Sequence, residues 1–143
     1  MLDKLIYWTK MAAIYFMFLQ TFALAAGEKW LGGGVPEWFA KQFGPTFMSK
    51  FPGLAPSFFG IACGETVAAL LFVASLAKGE ILPDRTKPVL KLGLAFAALM
   101  FGALAFGQRL TNDFQGAANL FFYFGATLVA LFIVEREEVS TTK

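Results

Sequence analysis

The stretch APSFFGIACGETVAALLFVASLA, residues 55–77, decides the fold. It runs for twenty-three residues with a single charge, Glu65. A hydrocarbon core of ~30 Å is crossed by about 20 helical residues, so this stretch reads as a membrane helix. Working outward, residues 5–26, 88–106 and 117–134 are apolar runs of the same kind. Lys10 and Lys91 lie near the starts of two of them, where a long side chain can reach the headgroups. The expected fold is all-α: residues 1–143 form a single transmembrane domain, an integral membrane four-helix bundle.

Composition agrees. The chain is 57% hydrophobic and 15% charged, whereas soluble domains are nearer 45–50% apolar and ~25% charged. A net charge of +2 with no basic stripe gives no footing for nucleic acid. There is no His, which removes the commonest haem ligand and the usual metal-binding imidazoles. One cysteine, Cys63, makes neither an internal disulfide nor a redox pair, and in an apolar run it reads as packing. No metal site, no catalytic set and no intrinsic cofactor are expected. Leu31-Gly32-Gly33-Gly34 lacks the Lys-Ser/Thr of a phosphate-binding loop. Any redox chemistry would come from a bound organic molecule, a quinone or a lipid-like ligand, or from a partner chain.

Residues 5–26 also look like a signal peptide, with Lys4 and Lys10 before an apolar centre and Ala23-Leu24-Ala25 as a cleavage-like site. We expect the segment to be retained as a membrane helix. With four crossings, Lys4, Lys10, Lys78, Arg85, Lys87, Lys91, Arg136 and Lys143 fall on one side, and Lys29, Lys41, Lys50 and Arg109 on the other. The excess of positive charge marks the cytoplasmic side. Both termini are then cytoplasmic, in a bacterial inner membrane, and the 27–54 loop is external.

That loop carries its own pattern. Pro36 suits the first position of a helix and Gly44 its end. Trp38, Phe39 and Phe43 fall to one side, so an amphipathic segment lying in the interface is expected, apolar side down. Trp30 and Trp38 fit an aromatic belt. The segment reads as an anchor over the helix ends or as a lid over a cavity.

Helices in lipid approach through small residues. Gly60, Gly64 and Ala68 recur at four-residue spacing, as do Ala98 and Gly102. They suit internal packing, self-association or contact with other membrane subunits. Phe-rich faces on the last two helices suit lipid or neighbouring chains.

Glu65 is the most informative residue, because an acid inside a membrane helix is costly unless paired or protonated. By depth its expected partners are Gln20 on the first helix and Tyr123 and Thr127 on the fourth. Asn119, Tyr123 and Thr127 are spaced as one polar stripe. Lys29 and Arg109 are expected at the mouth. A structural network, a polar contact for a quinone or other small ligand, and a proton path all fit. The last is weakened by the lack of a second membrane carboxylate.

Lys29 after the first helix, the aromatic loop, Gly64-Glu65 and the run Asn119-Leu120-Phe121-Phe122-Tyr123-Phe124-Gly125 together resemble the DoxX-like family of small four-helix membrane proteins, over roughly residues 5–134. The resemblance implies both termini in the cytoplasm. The family includes a membrane subunit of thiosulfate:quinone oxidoreductase and proteins associated with terminal oxidases. It implies functional weight for Lys29, Glu65 and the Asn119 segment. Family members often carry a His near the end of the third helix, where this chain has Gln108-Arg109, and that departure weakens a catalytic reading. An auxiliary subunit of a quinone-linked or electron-transfer complex is expected, with a quinone-reducing subunit and a small-molecule transporter as alternatives.

Overall fold

The computed structural model describes the backbone of residues 1–141 and the side chains of residues 1–138. Five α-helices follow one another: α1 Leu2–Leu31, α2 Glu37–Phe43, α3 Leu54–Ala77, α4 Pro88–Leu110 and α5 Phe114–Thr141, with a single 3-10 turn at Phe47–Ser49. No strand occurs among the described residues. The helices α1, α3, α4 and α5 are each long and apolar enough to cross a membrane, so this is an all-helical integral membrane protein.

Helix ends follow backbone stops more than the end of the apolar run. α3 matches its expected span to within one residue. α1 was expected to end at Ala26 but continues to Leu31. Nothing in Gly27-Glu28-Lys29 forbids a helix. The chain turns away only where Gly33 and Gly34 adopt φ of +79° and +132°, a region that costs a residue with a Cβ more than it costs glycine. α4 likewise runs past Phe106 to Leu110 and breaks at Asn112, φ +59°.

Along the bundle, α1 packs on α3, α3 on α4 and α4 on α5, while α1 and α5 approach less closely. An ion pair at 2.6 Å joins Lys10 of α1 to Glu137 of α5. The core is built from Met11, Phe22, Phe72, Leu90, Leu94 and Val134. Phe18 stacks on Phe72 and Phe22 on Phe101, with centroids 5.5 and 5.3 Å apart. Small residues set the close approaches: a Cβ at Gly93 would lie 3.4 Å from Leu71 Cβ. Apolar side chains such as Phe16, Leu70, Leu99, Phe121, Phe122 and Phe132 point outward. In water that would be unfavourable, whereas lipid is as apolar as they are.

The α3–α4 connection is tied into the bundle by polar groups that sequence reading did not single out. The Glu80 carboxylate accepts from the backbone N–H groups of Val89 and Leu90 at 3.1 and 2.7 Å. A carboxylate at a helix N-terminus satisfies orphan donors and meets the positive end of the helix dipole. Ser75 Oγ donates to the same carboxylate at 2.7 Å and shares a 2.7 Å bond with Tyr15 Oη. Lys87, fully buried, donates to the carbonyls of Leu82 and Arg85 at 2.8 and 2.9 Å. Burial holds its ammonium below the usual value of 10.5, against the opposing pull of Glu138, Glu80, Glu137 and Asp84.

Candidate functional site: the Lys29–Glu65 cavity

The site follows from an offset between helices. Lys29 and Trp30, the last turn of α1, lie beside Glu65 and Thr66: Lys29 Nζ is 3.0 Å from the carboxylate, and Trp30 Nε1 donates to Thr66 Oγ1 at 2.9 Å. Eleven residues of α3 precede Glu65, about 16 Å of rise. At that end α1 therefore stops well short of α3, and a recess is left above its last turn. The connection between α1 and α3 folds back to fill it. Phe39 and Phe43 of α2 pack against Phe58 of α3, with Phe39–Phe58 centroids 5.1 Å apart. Phe43 reaches α4, where a Cβ on Gly107 would meet its ring at 3.5 Å. Gln42 Nε2 donates to Gln108 Oε1 at 2.7 Å and to Thr111 Oγ1 at 3.0 Å, fixing α2 to the end of α4.

The fill is incomplete. A cavity of about 520 Å³ remains beneath α2, walled by apolar groups such as Phe43, Ile61, Met100 and Leu104, with Lys29 and Glu65 in its lining. Its size falls in the range of small-molecule sites. Glu65 is 4% exposed. Lys29 Nζ lies 3.0 Å from each carboxylate oxygen and hydrogen-bonds to Oε1; Oε2 is buried and, beyond this ion-pair contact, has no hydrogen bond from the protein. A buried acceptor left open is uncommon in a well-packed interior. Its two charges cancel, so the site presents polarity without net charge. Met100 closes one side: its sulfur lies where a Cβ on Gly64 would come within 2.5 Å.

The partners expected for Glu65 by depth are placed elsewhere. Gln20 donates to Met17 Sδ at 3.3 Å. Tyr123, 51% exposed, lines a separate groove of about 410 Å³ between α1 and α5, beside Met17 and Phe101. Thr127 is buried and its hydroxyl returns to the Tyr123 carbonyl at 2.7 Å. Asn119 is exposed and accepts from Gln115 at 3.2 Å. The expected stripe disperses because four residues advance a helix by about 400°, so each step turns the face by ~40°. The same drift separates the small residues of α3: Ala68 is fully buried, Gly64 meets Met100, and Gly60 opens outward.

Arg109 is exposed and lies over the Phe114 ring at 4.6 Å, away from the ion pair. Lys29, expected at the mouth, is the partner of Glu65 itself. The signal was available: Met11, Phe22 and Ala26 are buried at helical spacing, and Lys29 continues that face three residues on. On α2, Phe39 and Phe43 are buried against the bundle, while Trp38 lines the same cavity but is 58% exposed. Trp30 stacks on Phe59 at 5.6 Å.

No family model matches the chain, and neither the characterised proteins nor the solved structures compared with it show significant similarity.

Proposed function

We propose that the chain is a non-catalytic membrane subunit of a larger quinone-linked electron-transfer complex, and that the cavity under α2 holds the head of a quinone or lipid. One observation carries this reading: an apolar cavity whose lining contains a single neutral ion pair with an open acceptor. Such a lining suits an uncharged amphiphile, and an ionisable group inside a membrane helix is a functional candidate by default. The DoxX-like resemblance supplies the quinone-linked context. Without His and with one Cys, the chain lacks the usual ligands for metal or disulfide chemistry of its own. The outward Phe121 and Phe122 of α5, 73% and 77% exposed, offer an apolar face to neighbouring membrane chains. In this proposal the membrane is a bacterial inner membrane, with both termini cytoplasmic and α2 outside.

Isolation in mild detergent tests the proposal. Companion integral membrane chains and bound quinone are expected, and the chain alone should show no thiosulfate- or thiol-dependent quinone reduction. Turnover by the isolated chain would replace this reading with the oxidoreductase alternative. Orientation is read by single cysteines in a Cys63→Ser background. Ser49→Cys should react with an impermeant reagent in intact cells and Asp84→Cys should not; the reverse would invert the topology.

A further inference from the structure

We infer that the cavity selects a hydroxyl-bearing head over its carbonyl or ether counterpart, because Glu65 Oε2 needs a donor. This rests on the reading of the cavity as a ligand site and adds the chemistry of recognition. The carboxylate accepts from Lys29 at Oε1, and its second oxygen, 3.0 Å from the same ammonium, is buried without a hydrogen bond of its own. Lys29 Nζ has three N–H groups. One goes to Glu65 Oε1 at 3.0 Å and one, at 3.4 Å, toward the Ala25 carbonyl. A third is left over for the ligand.

The pair thus offers one open acceptor beside one spare donor. A hydroxyl is the smallest group that answers both, donating its proton to Oε2 and accepting from Nζ with its oxygen. A carbonyl or an ether answers only Lys29 and leaves Oε2 open. An anionic head would compete with Glu65 for Lys29 and leave a net charge among apolar walls, which is unfavourable at this site. A cationic head would leave Lys29 uncompensated.

Access runs past Met100. Oε2 is buried, so a ligand reaches it only when a neighbouring side chain moves, and Met100 lines the same cavity with a thioether on an unbranched chain, which changes rotamer readily. Gly64 leaves room for the Met100 sulfur, and Met100 also lines the cavity. Ile61, Leu104 and Leu120 continue the lining as apolar surface for the body of the molecule. Two sources share this chemistry: a reduced quinone, whose ring carries hydroxyls, and a lipid alcohol.

The test compares ligands that differ by one proton or one methyl. The detergent-purified chain is titrated anaerobically with a decyl-benzoquinol, its dimethyl ether and the decyl-benzoquinone, and separately with dodecanol and its methyl ether. Within the series that binds, the hydroxyl form should bind about tenfold tighter than the ether, equivalent to about 1.4 kcal/mol. Preference in the quinol series identifies a quinol site, and preference in the alcohol series a lipid-alcohol site. The double variant Lys29→Met with Glu65→Met should reduce the preference to within about twofold; the wild-type comparison stands even if that variant fails to fold. Equal binding of hydroxyl and ether forms would overturn the inference while leaving the cavity a ligand site. If none of the five compounds binds, the ligand-site reading fails with it.

Discussion

Lys29 and Glu65 concentrate the energetic argument at a single contact. Removing one member of a buried ion pair leaves the other uncompensated, which typically costs about 3–5 kcal/mol. Lys29→Met alone should therefore melt well below the wild type in detergent. Adding Glu65→Met should recover most of the loss, since apolar side chains can replace a buried pair at little cost. The coupling is read from the double-mutant cycle. A Lys29→Met variant as stable as the wild type would mean that the pair does not hold α1 to α3. Lys87 gives a second residue-level expectation. Its pKa is depressed in the folded state by burial, so between the folded value and 10.5 the unfolded chain binds more protons. Stability should then rise with pH on the approach to 10.5. Substituting Lys87→Met removes this contribution, although it also takes the ammonium donor from the carbonyls of Leu82 and Arg85. The difference between wild-type and variant melting curves across that window should widen in favour of the wild type as pH rises; a constant difference would contradict the assignment.

At the scale of elements, α3 and α4 meet where Gly64 receives Met100. Two effects oppose each other in Gly64→Ala. Alanine gains about 1 kcal/mol of helix propensity over glycine, while the new Cβ displaces the Met100 sulfur that stands 2.5 Å from its position. The methionine end is flexible, so stability should stay within about 1 kcal/mol of the wild type. The displaced thioether has the cavity to move into, and ligand retention should fall; Met100→Ala in the same chain should restore it. Unchanged retention in Gly64→Ala would separate Met100 from access to the site. The number and approximate span of the crossing helices were legible in sequence, because a bilayer demands about 20 apolar residues per crossing and residues 55–77 supply them. The site was legible only in part. Glu65 stood out as a charge in an apolar run, but its partner did not, because α1 was ended with its apolar residues and Lys29 was assigned to a loop. Polar residues at four-residue intervals on α5 were read as one face although a helix turns away from that line. Glu80 and Lys87 lie in a connection, and their burial depends on neighbours brought from α1, α3, α4 and α5 that no local pattern announces.

For the whole molecule, the cavity is a consequence of helices of unequal reach. α1 ends beside Glu65, α3 continues about 16 Å further, and α2 closes the resulting recess without filling it. The ion pair is then the charged feature of a largely apolar chamber opening among membrane helices. On this account the architecture exists to hold an uncharged amphiphile, and the bundle's outward apolar faces carry it within a larger assembly. The most direct test is to extract and identify what the purified chain retains after a stringent delipidating wash, comparing wild type with Ile61→Trp, which places an indole in the cavity one helical turn before Glu65. The account predicts a retained quinone or lipid alcohol, near one per chain, in the wild type and its loss in Ile61→Trp at an unchanged helical content. Equal retention by the two proteins, or an empty wild type, would contradict it.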